Sequence, residues 1–377
     1  MKVIVSTHDS LCPIKGGGAL RTIKCAEEFR RLGHEVIIIG PTDEVGEING
    51  IKVHWLHAPK KQRSQLLSSL KFNIRLLRKF LQFAGETDLI FVHNAIAAAT
   101  LPFLRWFYKF RFVLDITDIH AEYLVVNRKT FLERLVTPLI LAIEYWIIRS
   151  ADHVIVVTEA MKDLVVSKGI PASKVSVVYD AAETEKISPE KLPGYEKGVI
   201  HLGTVDRQHN VEVFIKAIPE VAKAHPDAKF LIVGGGRELE NIIALSKELG
   251  VYDRCLFTGY LPCDAAREYL KKAAVGVIPR HDNLPNRIVT TLKVYEYWAS
   301  ATAVVSAKME GIAEISTEGG DIVFFRSGDH SDMAAKISGL LSDCAVAERI
   351  RLAGVGTAAK YTWQKIAPQI VKNALEL

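Results

Sequence analysis

The sequence predicts an α/β protein built from two domains with parallel sheets, and three observations support this prediction. First, short runs rich in valine and isoleucine alternate with amphipathic helical stretches along the chain. Second, these runs show little polar alternation, which is typical of strands covered on both faces. Third, the series stops at Ala181–Gly198 and then resumes. A chain of 377 residues is also too long for one compact core.

Each half has its own series of predicted strands, and the helices between them indicate βαβ units. We therefore predict two Rossmann-like domains, at residues 1–182 and 196–362, joined by a proline-containing linker. The helix at 363–377 has no strand after it, and we expect it to pack elsewhere, including back on the first domain. The predicted strands are Val3–Ser6, Val36–Ile39, Val53–Leu56, Leu89–Val92, Phe112–Ile116, Val154–Val157 and Val175–Val178, then Val199–Leu202, Phe230–Val233, Cys255–Thr258, Val275–Ile278, Ala303–Val305 and Ile322–Phe325.

The composition excludes several classes of protein. Apolar residues make up 49% of the chain and charged residues 24%, which is typical of a folded globular protein and not of a disordered one. The five cysteines are scattered without CxxC spacing, which argues against a zinc ribbon or a disulfide scaffold. The N-terminus reads as a strand without a targeting segment, and charges interrupt the most apolar stretch, Leu135 to Val157. We therefore expect a cytoplasmic protein.

The excess positive charge is confined to the first half of the chain. Residues 1–180 carry a net +6 and the remainder a net −1. No acid occurs between Pro59 and Gly85, where a basic amphipathic helix is predicted, and a basic aromatic cluster spans Arg105 to Arg111. Two interpretations stay open: a core-packed helix with a solvated face, or a surface that rests on anionic lipid at the inner face of a membrane. No nucleic-acid recognition motif accompanies these residues, so we expect no nucleic-acid partner. The basic residues of the helix are Lys60, Lys61, Arg63, Lys71, Arg75, Arg78 and Lys79.

Two glycine-rich turns follow predicted strands and precede predicted helices. They are Gly16–Gly18 in the first half and Gly234–Gly236 in the second. Glycines there let the backbone approach a ligand, and the helix N-terminus that follows favours an anion. The same turns also connect strands to helices without any ligand, so this alternative stays open for both.

The segment from Arg280 to Ser306 carries the most chemical information. A predicted strand ends in a polar loop, and a short helix then places Lys293 and Glu296 three residues apart on one face. A lysine near a helix N-terminus can receive a diphosphate, and a glutamate can accept hydrogen bonds from ribose hydroxyls. The alternative is a surface ion pair between the two, worth a few tenths of a kcal/mol.

This segment resembles the donor-site signature of glycosyltransferase family 4, in the branch with K-x-x-E-Y-(W/M)-A. Members of this family have the GT-B fold, in which two Rossmann-like domains with parallel sheets face each other across a cleft. The resemblance implies retaining, metal-independent transfer of a sugar from a nucleotide diphosphate sugar, without a further cofactor. The donor would bind mainly to the second domain and the acceptor to the first. Other matching pieces, in order, are Gly16–Gly18 with Arg21, Arg31–Val36, Ala151–Thr158, His201–Thr204, Val233–Gly236 and Phe257–Tyr260.

The resemblance also implies roles for individual residues. Glu296 would hold the ribose, while Lys293 and other basic residues would neutralise the diphosphate leaving group. In the first domain Asp118 and His120 are the catalytic candidates, because a carboxylate there could orient an acceptor hydroxyl or accept its proton. His93-Asn94 would line the acceptor site, and the alternative for His120 is a structural hydrogen bond at a helix start. The implied donor-binding residues are Gly17, Gly18, Gly203, Arg207, Gly235, Arg280, Lys293 and Glu296.

The chain departs from the family pattern at several positions. The first glutamate of the family's E-x7-E pair would fall at Ile288, with Asp282 or Asn283 as its replacement. The basic residues usual after the Gly203 strand fall at Thr204 and His209, so Arg207 and Arg287 are further candidates. Two alternatives therefore stay open, a nucleotide-sugar epimerase on the same fold and a non-catalytic protein that binds sugar nucleotides. The basic helix points to a glycolipid or polyprenyl-linked glycan as acceptor.

Overall fold

The computed structural model describes residues 1–12, 14, 16–42, 46–56, 65–127 and 131–376. The chain forms two compact units, Met1–Asp180 together with Trp363–Leu377, and Ala181–Thr362. The final helix therefore belongs to the first unit, where it contacts the first helix of the chain. The predicted basic residues Lys60, Lys61 and Arg63 lie outside the described residues.

The first unit contains an eight-stranded sheet. In chain order its strands are β1 (Lys2–Thr7), β2 (Glu35–Pro41), β3 (Glu47–Ile48), β4 (Ile51–Leu56), β5 (Leu89–His93), β6 (Arg111–Ile116), β7 (His153–Val156) and β8 (Val175–Val177). Their spatial order is β3-β4-β2-β1-β5-β6-β7-β8, and every pair is parallel except β3–β4. Every residue of β5 is buried, which requires cover on both faces of the sheet.

The helices of the first unit are α1 (Gly17–Arg31), α2 (Gln65–Phe83), α3 (Leu101–Leu104), α4 (His120–Asn127), α5 (Phe131–Ser150) and α6 (Glu159–Ser167). The basic helix predicted from the charge pattern is α2. Phe72, Leu76 and Phe80 are buried at a spacing of four, which places them on its core face. Lys71, Arg75 and Arg78 are exposed, so this helix packs on the core and carries an exposed basic face, and the interpretation of that face as a lipid-binding surface stays a prediction.

The second unit contains a six-stranded sheet in which every pair is parallel. Its strands are β9 (Gly198–Leu202), β10 (Lys229–Val233), β11 (Cys255–Gly259), β12 (Val275–Ile278), β13 (Ala303–Ala307) and β14 (Ile322–Phe325), in the spatial order β11-β10-β9-β12-β13-β14. The helices are α7 (Val211–Ala224), α8 (Leu239–Glu248), α9 (Cys263–Arg267), α10 (Leu284–Arg287), α11 (Leu292–Ala299), α12 (Glu310–Ala313), α13 (His330–Ser342) and α14 (Cys344–Ala358), and the chain ends with α15 (Trp363–Leu375) in the first unit.

The strand order in each unit creates a place for a ligand. The order reverses between β1 and β5 in the first sheet, and between β9 and β12 in the second. At such a point the loops after neighbouring strands run in opposite directions and open a crevice beyond the carboxyl ends. The glycine loop and His93 therefore lie at one crevice, and Gly203 and Arg280 at the other.

The segment interpreted as a linker packs on the second unit. Lys191 donates hydrogen bonds through Nζ to the carbonyls of Leu270 and Ala273 at 2.8 and 2.9 Å, and to Thr302 Oγ1 at 2.6 Å. The chain passes into the second unit at Ala181, which is fully buried.

None of the helices in the described part of the chain is both long and apolar enough to span a bilayer. All five cysteines are free.

Candidate functional sites

In the first unit the glycine loop lies directly against two polar side chains. A Cβ on Gly18 would lie 2.1 Å from Asp9 Oδ2 and 2.4 Å from His93 Nε2, so only glycine fits there. Gly17 is the first residue of α1, and Gly16 precedes it with φ of 89°. The ends of β1 and β5 and the start of α1 therefore meet at the predicted crevice.

Beneath this loop lies a buried chain of charged and polar groups. Arg21 donates from Nε and Nη2 to the two carboxylate oxygens of Asp115, each at 2.7 Å. Asp115 Oδ2 also lies 3.1 Å from His93 Nδ1, and all three side chains are fully buried. Burial alone would raise the pKa of Asp115, but Arg21 and His93 outweigh it and lower this pKa to about 2. The ionised carboxylate therefore accepts a hydrogen bond from His93 Nδ1 and orients the imidazole ring.

Asn94 organises the loop that carries the catalytic candidate Asp118. Its Oδ1 accepts hydrogen bonds from the backbone amides of Thr117 and Asp118, at 3.0 and 3.2 Å. Its Nδ2 lies 3.2 Å from His93 Nε2, and its own backbone has a positive φ of 61°. Asp118 Oδ1 accepts a hydrogen bond from Tyr123 at 3.0 Å. The carboxylate of Asp118 is therefore positioned from both sides.

His120 begins α4, and its backbone makes the hydrogen bond at the helix start. The amides of His120 and Ala121 donate to the carboxylate of Glu144 at 3.1 and 2.6 Å. The imidazole of His120 instead meets His8 edge-to-face, with ring centroids 5.0 Å apart, and its Nδ1 is buried without a partner among the described residues. Burial lowers the pKa of His8 to about 4, so that ring is neutral near pH 7.

The first unit therefore gathers carboxylates and imidazoles around the crevice at β1 and β5. Asp9, His93 and Gly18 form one side, while Asp118 and His120 follow from the next strand, β6. Such groups can bind a hydroxylated molecule and accept a proton from it. The predicted residues Gly18, His93, Asn94 and Asp118 thus lie in one connected cluster. The sequence analysis did not identify His8 or Asp9, which follow β1 directly.

In the second unit Lys293 lies beneath Gly203, at the carboxyl end of β9. A Cβ on Gly203 would lie 2.8 Å from Lys293 Cε and 3.2 Å from Nζ, and this glycine has φ of 115°. Burial, together with the charge of Arg280, lowers the pKa of Lys293 to about 7. A buried ammonium group beside another cation is favourable for binding an anion.

Glu296 forms its ion pair with Arg267, at 3.2 Å from Nε to Oε1. The alternative of a surface pair between Lys293 and Glu296 is therefore wrong. Arg267 also reaches Glu183 at 3.5 Å and lines a cavity of about 350 Å³. Burial raises the pKa of Glu296, while the charge of Arg267 opposes this shift. Arg267 was not identified from the sequence, because it lies on a different helix with no motif to indicate the contact.

Arg280 and His209 lie close to the Lys293 side chain. Arg280 donates from Nη1 to Asn286 Oδ1 at 3.3 Å, and its Nε is buried without a partner in the described part of the chain. Burial and the charge of Lys293 lower the pKa of His209 to about 4, while Asp206 holds its Nδ1 at 2.8 Å. A neutral histidine therefore stands where the family's basic residue is usual, and Lys293 and Arg280 supply the positive charge. Arg207 is exposed in the turn just before His209.

The second glycine turn joins two strand-end loops. A Cβ on Gly234 would lie 2.0 Å from the carbonyl oxygen of Gly203, and one on Gly236 would lie 2.0 Å from that of Val205. These two glycines are therefore required for backbone packing. Gly235 lies against the ring of Tyr260, which is exposed. A contact of Gly235 with the donor stays a prediction.

The two proposed replacements for the missing family glutamate are both engaged in local contacts. Asp282 forms an ion pair with Arg287, whose Nη2 lies 2.9 Å from Oδ2. Asn283 caps α10 by accepting a hydrogen bond from the amide of Asn286 at 3.1 Å. Ile288 itself is buried. Asp282 and Arg287 line a second cavity, of about 470 Å³.

Comparisons with known proteins cover nearly the whole chain. The family described as "Glycosyltransferase Family 4" matches residues 15–186, and the family "Glycosyl transferases group 1" matches residues 196–343. An uncharacterized glycosyltransferase of Methanocaldococcus jannaschii is 27% identical over 100% of this chain and 99% of its own.

Solved structures share the fold at low sequence identity. Sucrose-phosphate synthase from Thermosynechococcus elongatus superposes with a TM-score of 0.81 at 18% identity, covering 99% of this chain and 98% of that one. The Anabaena protein HepE in complex with UDP superposes with a TM-score of 0.78 at 18% identity, covering 100% of both chains.

Proposed function

Because the chain belongs to the glycosyltransferases of group 1 and family 4, and has their GT-B fold as the sequence predicts, we propose that it is a retaining enzyme. In this proposal it transfers a sugar from a nucleotide diphosphate sugar to a hydroxylated acceptor, without a metal. The second unit binds the donor and the first unit binds the acceptor. The observation that carries the proposal is the buried Lys293 ammonium group beneath Gly203, at the crevice of the second sheet.

In the donor step, the protein must stabilise the negative charge that develops on the diphosphate leaving group. When the bond between the sugar C1 and the diphosphate oxygen breaks, negative charge develops on the leaving group. Lys293, protonated when the diphosphate is bound, and the half-buried Arg280 are held in position, where they stabilise that charge without reorganising. Glu296, oriented by Arg267, accepts hydrogen bonds from the ribose hydroxyls. The complex of HepE with UDP makes UDP the first nucleotide to test.

The acceptor step uses the polar cluster of the first unit. The acceptor oxygen forms the new bond to C1, and Asp118 takes the hydroxyl proton. Tyr123 and the Asn94-bound backbone hold this carboxylate in place, while the half-buried His120 contacts an acceptor hydroxyl and the buried His93 helps to position Asn94. We propose a glycolipid or a polyprenyl-linked glycan as the acceptor. The exposed basic face of α2 supports this class, because such acceptors lie in membranes with anionic lipids.

Calorimetric titration with UDP and with UDP-sugars tests the donor site. We expect the wild-type protein to bind UDP and the Glu296→Ala variant to bind it at least about tenfold more weakly, because a charged hydrogen-bond acceptor is lost. Glu240→Ala, on the exposed face of α8, is the matched control and should bind like the wild type. Absence of binding of every nucleoside diphosphate and nucleotide sugar would overturn the proposal.

One alternative has a specific observation in its favour. Ile288 is buried where the family has a glutamate, and this favours a protein that binds sugar nucleotides without transferring the sugar. Incubation with the identified donor and candidate acceptors, followed by NMR, separates the cases. Transfer to any acceptor dismisses the non-catalytic alternative, and conversion of the donor sugar in the absence of an acceptor would instead identify an epimerase.

A further inference from the structure

An apolar stripe on α5 is left uncovered by the described residues of the first unit. Phe131, Leu135 and Leu139 follow one another at a spacing of four residues, which puts them on one face of the helix. Their exposed fractions are 83%, 67% and 63%. Ile143 and Trp146 continue the stripe along the same helix and are also exposed. A helix on the surface of a globular unit normally turns such a stripe toward the core.

The opposite face of α5 attaches the helix to the first unit. Tyr145, Ile147 and Ile148 are buried, and the Tyr145 hydroxyl donates to Glu122 Oε1 at 2.9 Å. Glu144, also buried, accepts the amide hydrogens at the start of α4. Because these contacts hold α5 in place, the exposed stripe is not needed to anchor the helix.

The stripe continues onto the segment that follows α3. The ring of Phe103 lies 5.3 Å from that of Trp146 and 5.7 Å from that of Trp106. Trp106 and Phe107 are exposed to 75% and 79%. Arg105 ties this segment to the end of α5 through a 2.7 Å hydrogen bond to the carbonyl of Ser150. The apolar surface therefore extends over two elements, and contiguous exposed aromatic surface of this kind marks a contact with something else.

The charges around this surface are mainly positive. Among the described residues from 103 to 149, the exposed charged side chains are Lys109, Arg134 and Arg149, against Glu133. The helix α2, whose exposed face carries Lys71, Arg75 and Arg78, contacts the same turn as α5, at Ala95–Ala98, so both helices belong to this part of the first unit.

We propose that this surface, formed by the α5 stripe and the Trp106-Phe107 segment, inserts into the interface of an anionic lipid bilayer. Aromatic and aliphatic side chains would enter the boundary between headgroups and acyl chains, and the surrounding cations would attract anionic headgroups. A second copy of the chain fits less well, since two-fold pairing would bring the same basic residues close to one another. The docking does not depend on the transfer reaction and would hold the first unit, with its acceptor cluster, at the membrane.

Flotation with lipid vesicles tests the proposal on the full chain. The vesicles contain phosphatidylcholine alone or phosphatidylcholine with phosphatidylglycerol, at low and high salt. We expect the wild type to float with the anionic vesicles only, and the Phe131→Ser/Leu135→Ser/Leu139→Ser variant to bind them at least about tenfold more weakly. A matched triple variant, Leu192→Ser/Leu256→Ser/Leu352→Ser, removes exposed leucines of the second unit and should float like the wild type.

Three further measurements decide the outcome. Calorimetry with UDP should give the same affinity for the α5 variant as for the wild type, so that a failure of the donor proposal is seen separately. The Lys71→Gln/Arg75→Gln/Arg78→Gln variant should show weaker binding with a smaller salt dependence. The proposal is overturned if the wild type does not float with anionic vesicles at low salt, or if the α5 variant floats equally well. Light scattering that finds a wild-type dimer and a monomeric α5 variant would instead assign the stripe to a second copy.

Discussion

Arg21 and Asp115 form a fully buried ion pair in which two nitrogens of the guanidinium group each lie 2.7 Å from a carboxylate oxygen. The pair connects α1, directly after the glycine loop, to the end of β6. It thereby fixes His93, which bonds to the same carboxylate at 3.1 Å. The polar cluster of the first unit therefore rests on a charge pair that solvent does not reach.

Removal of Arg21 should strongly destabilise the protein. Arg21→Met leaves the carboxylate of Asp115 buried without its partner, and breaking a buried pair in this way costs about 3–5 kcal/mol. Urea denaturation measures the free energy of unfolding. Arg31→Met removes an exposed arginine that pairs with Glu28 on the same helix, and it should lower the free energy of unfolding by about 1 kcal/mol or less. Equal effects of the two substitutions would contradict this assignment.

The same pair should make stability depend on pH in the acid range. In the folded protein the pKa of Asp115 is lowered from 3.8 to about 2, so the unfolded chain binds the proton more readily. Its contribution, at most about 2 kcal/mol, is complete above pH 4 and is lost as the pH falls from about 4 to 2. As the pH is lowered from 4 to 2, the unfolding temperature should fall less steeply for Asp115→Asn than for the wild type. The variant should nevertheless be less stable than the wild type at each pH. A parallel fall in both proteins would show that other carboxyl groups are responsible.

The strands were predictable because burial on both faces leaves a strong signal in the sequence. All thirteen predicted strands occur, and the strand that was missed, β3, has two residues and pairs in a hairpin, which is too short for any periodicity. Lys293 and Glu296 were found because they share one short helix. The residues next to them were not found from the sequence, since Arg267 and Asp206 belong to other elements. Only the fold brings these two residues close to Glu296 and Lys293.

The exposed face of α5 could not be predicted either. Apolar residues occur on all sides of this helix, so that periodicity does not indicate which side faces the core. The charge pattern pointed instead to residues 59–85, of which the structure describes only part. It is the burial of Tyr145, Glu144 and Ile148 that identifies the remaining side as the uncovered one.

The packing of the two strand-end loops makes Gly234 irreplaceable. Alanine there would place Cβ 2.0 Å from the Gly203 carbonyl oxygen, in a backbone with φ of 133°. We expect Gly234→Ala to lower the free energy of unfolding by about 2–4 kcal/mol, because neither loop can retreat without losing its hydrogen bonds. Gly250→Ala also has a positive φ but meets nothing within 4 Å, and its cost should be about 1 kcal/mol. Comparable losses in the two variants would rule out the steric explanation.

The pKa of Lys293 predicts that donor binding takes up a proton. Burial and Arg280 lower this pKa to about 7, and a bound diphosphate would raise it. At pH 8 the Lys293 amine is therefore largely neutral in the protein without bound donor. UDP should then bind with uptake of part of a proton, and its affinity should fall as the pH rises. Calorimetry in buffers of different ionisation enthalpy measures this uptake.

Two lysine variants make the proton measurement specific. Lys293→Met should abolish the uptake and weaken UDP binding about tenfold to a hundredfold, because a charged hydrogen-bond donor is lost. Lys308→Met removes an exposed lysine that lines the second cavity, and it should change neither quantity. Proton uptake that persists in Lys293→Met would assign the titration to another group.

A substitution at Asp118 should affect sugar transfer to the acceptor without affecting binding of the donor. Asp118→Asn keeps the shape of the side chain but weakens it as a base, and we expect kcat for sugar transfer to fall by about 10²–10⁴-fold. The affinity for UDP should stay unchanged, because Arg280, Lys293 and Glu296 belong to the other unit. Tyr123→Phe removes the 3.0 Å hydrogen bond to this carboxylate, and its kcat should fall by roughly tenfold. If Asp118→Asn weakened UDP binding while kcat stayed constant, Asp118 would be a donor-binding residue and the proposed division of roles between the units would be wrong.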